Sequence, residues 1–292
     1  MSARAQFVLR AREPWDWRFI AGFLAHRRIA GVECVDASGW RRALALRHAG
    51  GLATGWVDVR PAADAPGVIV AMTPGLAPVA KTVLERVARI FDLDFDPLPA
   101  LAVLGDLARD APGARLPGAV DGFELGVRAI LGQQVSVRAA HTLAARIAAR
   151  HGRALDDAPA AGPSTAFPDA STVAALAPAE LAACGIVRVR AEAIVALAQA
   201  LAESRLDLEP GACLETSVAR LRSLRGIGDW TAQYLAMRAL RAADAFPAGD
   251  LVLRRALDVG TPAAAIAAAE RWRPWRALAV LHLWRRAQPA RD

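Results

Sequence analysis

Two periodicities divide the chain. Residues 6–12 and 42–47 alternate apolar with polar positions, and 52–60 and 68–72 carry the same strand-like composition, so a period of two predicts four strands. Ala49-Gly50-Gly51 supplies a hairpin turn between the second and third. Phe19, Phe23 and Leu24 fall at helical spacing between the first two strands, and Val79, Val83, Val87 and Ile90 do so after the last. The pattern over residues 1–98 predicts an α+β domain. An acidic, proline-bearing connector at 92–99 follows, and from Leu101 onward the alternation stops. Apolar positions then recur every three or four residues, predicting helices at 122–131, 135–150, 171–176, 178–184, 188–203 and 215–224. Arg115-Leu116-Pro117-Gly118 and a low-complexity loop at 158–169 interrupt them. No repeat of fixed period is present, which excludes a solenoid.

Composition narrows the class. A chain of 292 residues with 54% hydrophobic and 22% charged residues is a folded globular protein with room for two or three compact subdomains. Its net charge of +7 favours a polyanionic partner, although Lys81 is the single lysine and the excess is carried by arginine. Cys34, Cys184 and Cys213 are scattered and lack CxxC spacing, so they suggest neither a disulfide framework nor a zinc or iron–sulfur site and are expected to be small buried hydrophobes. The start of the chain has no continuous apolar segment, and no run approaches membrane-spanning length. A cytoplasmic location with no membrane partner is expected.

Candidate chemistry gathers between residues 224 and 257. Val218, Leu221 and Leu224 mark the end of one helix, Gly226-Ile227-Gly228 stops it, and Trp230, Tyr234, Met237 and Leu240 set the spacing of the next. Two helices joined in this way form a helix-hairpin-helix. Its glycines permit left-handed angles and close approach of another backbone, Ile227 plugs the groove, and the amides opening the second helix offer an anion site. Taken alone, Gly-x-Gly is equally a helix C-cap with a tight turn. Phe246-Pro247-Ala248-Gly249 breaks the second helix, and Asp250 stands at the N-cap of another at 251–257. Alone, Asp250 is a capping residue, Trp230 and Tyr234 are the apolar stripe of a core helix, and Phe23 is a core phenylalanine.

Taken together the string resembles the helix-hairpin-helix DNA glycosylases, whose catalytic aspartate follows a Gly/Pro-rich loop at this place. Phe123-Glu124-Leu125-Gly126-Val127-Arg128-Ala129-Ile130-Leu131-Gly132-Gln133-Gln134-Val135-Ser136, Arg115-Leu116-Pro117-Gly118 and Arg271-Trp272-Arg273-Pro274-Trp275-Arg276 narrow the resemblance to the bacterial 3-methyladenine DNA glycosylase II family. It extends over nearly the whole chain, including Trp15-Asp16-Trp17 and Gly22-Phe23-Leu24-Ala25. The resemblance implies an α+β fold: an N-terminal antiparallel-sheet α/β domain at 1–98, connecting helices at 99–124, a helical domain with the hairpin at 125–242, and C-terminal helices carrying the aspartate at 243–292.

It also assigns roles. Asp250 is the expected catalytic residue; Trp230, Tyr234, Trp284 and Phe23 are expected to line the base pocket; Gln134 is expected at the DNA wedge. Phosphate contact falls to Arg225, Gly226, Ile227 and Gly228, beside a structural monovalent cation held by the main-chain carbonyls of Leu224 and Ile227, with no other cofactor. The implied partner is double-stranded DNA containing alkylated bases such as 3-methyladenine and 7-methylguanine, met by a monomer. Three positions depart from the family pattern: Gln134 replaces an intercalating leucine, Arg225 a proline, and Gly249 a second acid found in some relatives. Trp230 occupies the place of the lysine used by the superfamily's lyase-competent branches. Two alternatives remain at this point: a non-catalytic DNA-damage-binding protein, and a mismatch or oxidised-base glycosylase of the same superfamily.

Overall fold

A computed structural model describes residues 5–133 and 135–287. The N-terminal part is an antiparallel sheet in the order β1-β5-β4-β3-β2, formed by Ala5–Arg10 (β1), Glu33–Asp36 (β2), Gly39–His48 (β3), Gly51–Pro61 (β4) and Gly67–Met72 (β5). His48 pairs with Gly51, so the expected hairpin turn closes on two residues. One face is covered by α1 (Trp17–Ala25) and α2 (Ala80–Ile90). Trp40, Leu44, Leu46, Val57, Val59, Val68 and Val70 point into that core beside Ile20, Val83 and Val87.

The opposite face shows why residues 158–169 are not a loose loop. Ala43 and Trp56 point away from the first core and pack against Leu155 and Ala166. Leu155 follows β6 (Arg153–Ala154) and Ala166 ends β7 (Thr165–Ala166), the two strands of a short ribbon. Gly31 O accepts from Ser164 N and Thr165 N at 2.8 and 3.0 Å, and the Trp56 indole donates to Asp157 O at 3.1 Å. Composition hid this strap because its anchors are main-chain groups, which carry no sequence signature.

The helical part comprises α3 (Leu98–Leu104), α4 (Gly122–Leu131), α5 (Val137–His151), α6 (Ala170–Ala174), α7 (Pro178–Ala182), α8 (Arg188–Ala202), α9 (Leu214–Ser223), α10 (Asp229–Arg238), α11 (Leu251–Ala256), α12 (Pro262–Ala269) and α13 (Arg276–Ala287). Its core is continuous through α4, α8, α10 and α13, and it takes in Ile29 and Val32 from the N-terminal segment. One expectation for the cysteines fails: Cys184 is buried, but Cys213 is exposed beside Glu215 and Thr216 at the start of α9. No described helix is long and apolar enough to cross a membrane.

The two parts are joined by a buried quartet of charges. Glu33 on β2 accepts from Arg42 on β3 at 3.1 Å and from Arg128 on α4 at 3.2 Å; Glu124 on α4 accepts from both of the same arginines. The Trp40 indole and Ile29 N–H complete Glu33, at 2.9 and 3.2 Å. Burial works against the Glu33 charge, yet Arg42 and Arg128 outweigh it and hold the carboxyl below its ordinary range. A buried pair missing one partner costs about 3–5 kcal/mol, so the quartet fixes the register between sheet and helices.

Candidate active site

The hairpin forms where Ile227 inserts. It is 4% exposed, lodged between α9 and α10. Gly226 takes φ +87°, and a Cβ there would lie 2.8 Å from Ala193 Cβ on α8. Gly228 differs, with φ −87° as N-cap of α10 and no atom within 4 Å of an added Cβ. Its surroundings are open, and the first turn of α10 has no side-chain cap. Arg225 is exposed beside them, while Leu224 O accepts from Ile227 N–H at 3.1 Å.

Gln134 lies outside the described residues, so its expected wedge role has no geometry to set beside it. Its neighbour Gln133 bridges to the hairpin, donating through Nε2 to Gly226 O at 3.0 Å and to Thr231 Oγ1 at 3.2 Å. Arg190 donates to Gln133 O. The turn after α4 is thereby fastened to the hairpin.

Helix α10 divides its residues between core and site. Ala232, Leu235, Ala236 and Met237 are fully buried, whereas Trp230 and Tyr234 are only half-buried on another face. The even spacing of Trp230, Tyr234, Met237 and Leu240 therefore does not mark a single core stripe. Trp230 stacks on Tyr234 with ring centroids 5.3 Å apart and planes 8° apart, and Tyr234 meets the tilted ring of Trp284 from α13 at 6.2 Å.

Asp250 stands at this aromatic corner. The loop before it is turned by Asp250 N–H to Pro247 O at 2.9 Å and secured by Phe246 N–H to the Gln233 side chain at 3.2 Å. Its carboxylate does cap α11, accepting from Leu253 N–H at 2.8 Å. It also accepts the Trp230 indole N–H at 2.9 Å on one oxygen and the Trp284 indole N–H at 3.3 Å on the other. Three donors fix its plane, and two belong to the aromatic wall.

Phe23 is set apart from this stack. It shares with Trp284 a cavity of about 200 Å³ between α1 and α13, also lined by Phe19, Arg27 and Arg285. Its ring is covered by two guanidiniums, Arg27 at 3.7 Å and Arg238 at 4.8 Å. Arg238 in turn donates to the Tyr234 hydroxyl at 2.6 Å. Burial raises the Tyr234 phenol, but Arg238 and Arg27 outweigh it, so it titrates below its ordinary value. Arg27 itself is pushed down to about 10 by burial, against the pull of Tyr234. Sequence reasoning missed both arginines. Arg238 had a legible signal, lying four residues after Tyr234 on one helix; Arg27 had none.

Below Trp284 lies His282, fully buried and with neither ring nitrogen bonded among the described residues. Burial, then Arg285 and Arg286, push its pKa down to about 4. Among the described residues no group of three or more His, Cys, Asp or Glu side chains could hold a metal ion.

Comparison with known proteins identifies the family. Residues 6–121 match the family model described as the AlkA N-terminal domain, and 127–260 match the HhH-GPD superfamily base excision DNA repair protein. DNA-3-methyladenine glycosylase 2 of Escherichia coli is 40% identical over 278 residues, covering 95% of this chain and 96% of that protein. The probable bifunctional transcriptional activator/DNA repair enzyme AlkA of Mycobacterium tuberculosis is 37% identical over 94% of this chain, which spans 56% of that longer protein. The fold matches the 3-methyladenine DNA-glycosylase from Archaeoglobus fulgidus with a TM-score of 0.80 at 23% identity, covering 96% and 98% of the two chains. A near-full-length relationship at this identity accounts for both halves of the molecule together, and the chain therefore belongs to the DNA-3-methyladenine glycosylase II family of the HhH-GPD superfamily, base excision repair enzymes that hydrolyse the N-glycosidic bond.

Proposed function

We propose that the protein flips an alkylated base, chiefly a 3-methyl- or 7-methylpurine, out of duplex DNA and hydrolyses its glycosidic bond with Asp250 as the catalytic carboxylate. The observation that carries this reading is the pair of indole N–H donors that aim Asp250 along the aromatic wall. A capping role requires only the bond to Leu253. Alkylated purines are electron-poor, and stacking a cationic one on Trp230, Tyr234 or Trp284 contributes about 0.5–2 kcal/mol. Such a base leaves readily, and the sugar acquires oxocarbenium character. A carboxylate about 4 Å from that charge, at an effective dielectric of about 20, stabilises it by about 4 kcal/mol. In rate that is about a thousandfold.

The main-chain amides at Gly226 and Gly228, with Arg225, take the phosphates at the turn that Ile227 plugs, and Gln134 fills the stack. The carbonyls of Leu224 and Ile227 are uncharged hard oxygen donors of the kind a monovalent cation accepts, and Leu224 O retains a lone pair beyond its bond to Ile227. Such a cation adds positive charge next to the phosphate; hydrolysis does not require it. Residues 1–98 buttress the pocket, 99–124 tie them to the helices, 125–242 grip DNA and 243–292 present Asp250. One chain supplies every group named, so it acts as a monomer, in the cytoplasm. Lys81, the only lysine, is exposed on α2 beside Glu85, which supports a hydrolase without a Schiff-base lyase step.

A panel of duplexes carrying one 3-methyladenine, 7-methylguanine or 8-oxoguanine tests this. Alkali-sensitive abasic sites should form from the methylated purines, with strands intact before alkali. Preferential release of 8-oxoguanine, or cleavage without alkali, would refute it.

A further inference from the structure

Tyr234 is the one tyrosine in the chain, and its hydroxyl sits between charges from both halves of the molecule. Arg238 donates to it at 2.6 Å. The Arg27 guanidinium, two residues beyond the end of α1, lies 3.7 Å over the Phe23 ring that Arg238 also covers at 4.8 Å, and its charge acts on the same phenol. The other two Arg238 nitrogens are engaged as well: Nε donates to Pro117 O at 2.8 Å and Nη2 to Gly118 O at 2.9 Å. Gly118 N–H bonds Ile90 O at 3.3 Å, at the end of α2, and a Cβ at 118 would stand 2.5 Å from Arg89 O. The acceptors that orient Arg238 are thus pinned to the N-terminal domain. A planar guanidinium bonded in three directions has one orientation, so it holds the Tyr234 hydroxyl oxygen at one point while the stack on Trp230 holds the ring plane.

We propose that Arg27 and Arg238 are positioning residues for the base pocket: together they hold the Tyr234 ring parallel to Trp230, so that the N-terminal domain sets the geometry of a wall carried by the helical domain. The proposal rests on the reading of Trp230, Tyr234 and Trp284 as the surface that receives the base. A tilt of the phenol ring changes the face offered to the base, and through the 8° stack it reaches Trp230, whose indole holds Asp250. Stacking acts on bound substrate and transition state alike, so misalignment weakens binding more than it slows bond cleavage. The lowered titration of the phenol agrees with two cationic neighbours.

The test combines a double-mutant cycle with a titration. Arg238→Met should raise KM for a 7-methylguanine duplex about 10-fold while kcat falls less than about 3-fold, and Arg238→Lys, with one ammonium for a fork, should recover part of that loss. In a Tyr234→Phe background Arg238→Met should add less than about 2-fold, because the contact it removes is already gone. Fully additive losses would assign Arg238 to holding Pro117 and Gly118 alone and overturn the proposal. Because Tyr234 is the only tyrosine, phenolate absorbance reports it directly, and its midpoint should rise in Arg238→Met and in Arg27→Met. An unmoved midpoint in either folded variant also overturns the proposal. Arg27→Met keeps the test open if Arg238→Met does not fold. The titration uses free protein, so its failure is separable from failure of the glycosylase reading, which would appear as no base release by the unaltered enzyme.

Discussion

The aromatic corner and the hairpin are built from opposite materials. At the corner every surface is a side chain held by another: Trp230 by Tyr234, Asp250 by two indoles, Tyr234 by Arg238. At the hairpin the groups that the proposed function sets against phosphate are mainly main-chain amides, and the glycine side chains matter by being small. A flipped base differs from its neighbours in shape and charge, and only side chains can be fitted to that difference. A phosphate is the same at every nucleotide, so bare backbone suffices. Substitution at the corner should therefore change which bases leave and how fast; at the hairpin it should change folding or affinity uniformly.

The comparison breaks first, if it breaks, at Asp250. Asp250→Asn keeps an equally good N-cap, yet single-turnover excision of 7-methylguanine should fall about a thousandfold, with binding to abasic-mimic DNA retained. Excision close to that of the unaltered enzyme would leave Asp250 with its cap alone.

The corner should also be one source of acid lability, beside His141 on α5, which burial likewise pushes down to about 4. His282 has a folded pKa depressed to about 4 from an ordinary 6.5. As pH falls below 6.5 the unfolded chain takes up the proton first, so stability is full above that value and drains away towards pH 4, by up to about 3 kcal/mol. His282→Leu should lessen the fall of denaturant-unfolding stability across this window. An unchanged acid slope would place the lability elsewhere.

The two hairpin glycines separate folding from grip. Gly226→Ala forces a side chain to φ +87° and a 2.8 Å approach to Ala193, which should cost about 2 kcal/mol of unfolding free energy. Gly228→Ala meets nothing within 4 Å, so its melting temperature should be unchanged while affinity for any duplex drops about 5-fold. A sequence-dependent loss at Gly228 would contradict the division between backbone and side-chain recognition.

How much of this was legible depends on what kind of group carried it. Helix α4 emerges at the bounds its periodicity predicts, Gly122–Leu131, because Phe123, Leu125, Val127, Ile130 and Leu131 are buried nearly all round. Strand β2 was missed, since Glu-Cys-Val-Asp is too short to alternate and its Glu33 is buried for its charge. The residues of the corner were nameable from motif order, but the direction of an indole N–H is a tertiary fact, and nothing local marks Trp230 and Trp284 as partners of one carboxylate. Arg27 lies still further from view, its role depending on a helix more than two hundred positions away.

The buried quartet bears on how the chain is made. Glu33 and Arg42 leave the ribosome nine residues apart on adjacent strands, and Glu124 and Arg128 one helical turn apart on α4. Each half is thus synthesised with its own counter-charge at hand. The nascent N-terminal segment never has to shelter a bare carboxylate while the remaining two-thirds of the protein is translated, and final assembly brings together two locally neutral pairs instead of two exposed ions.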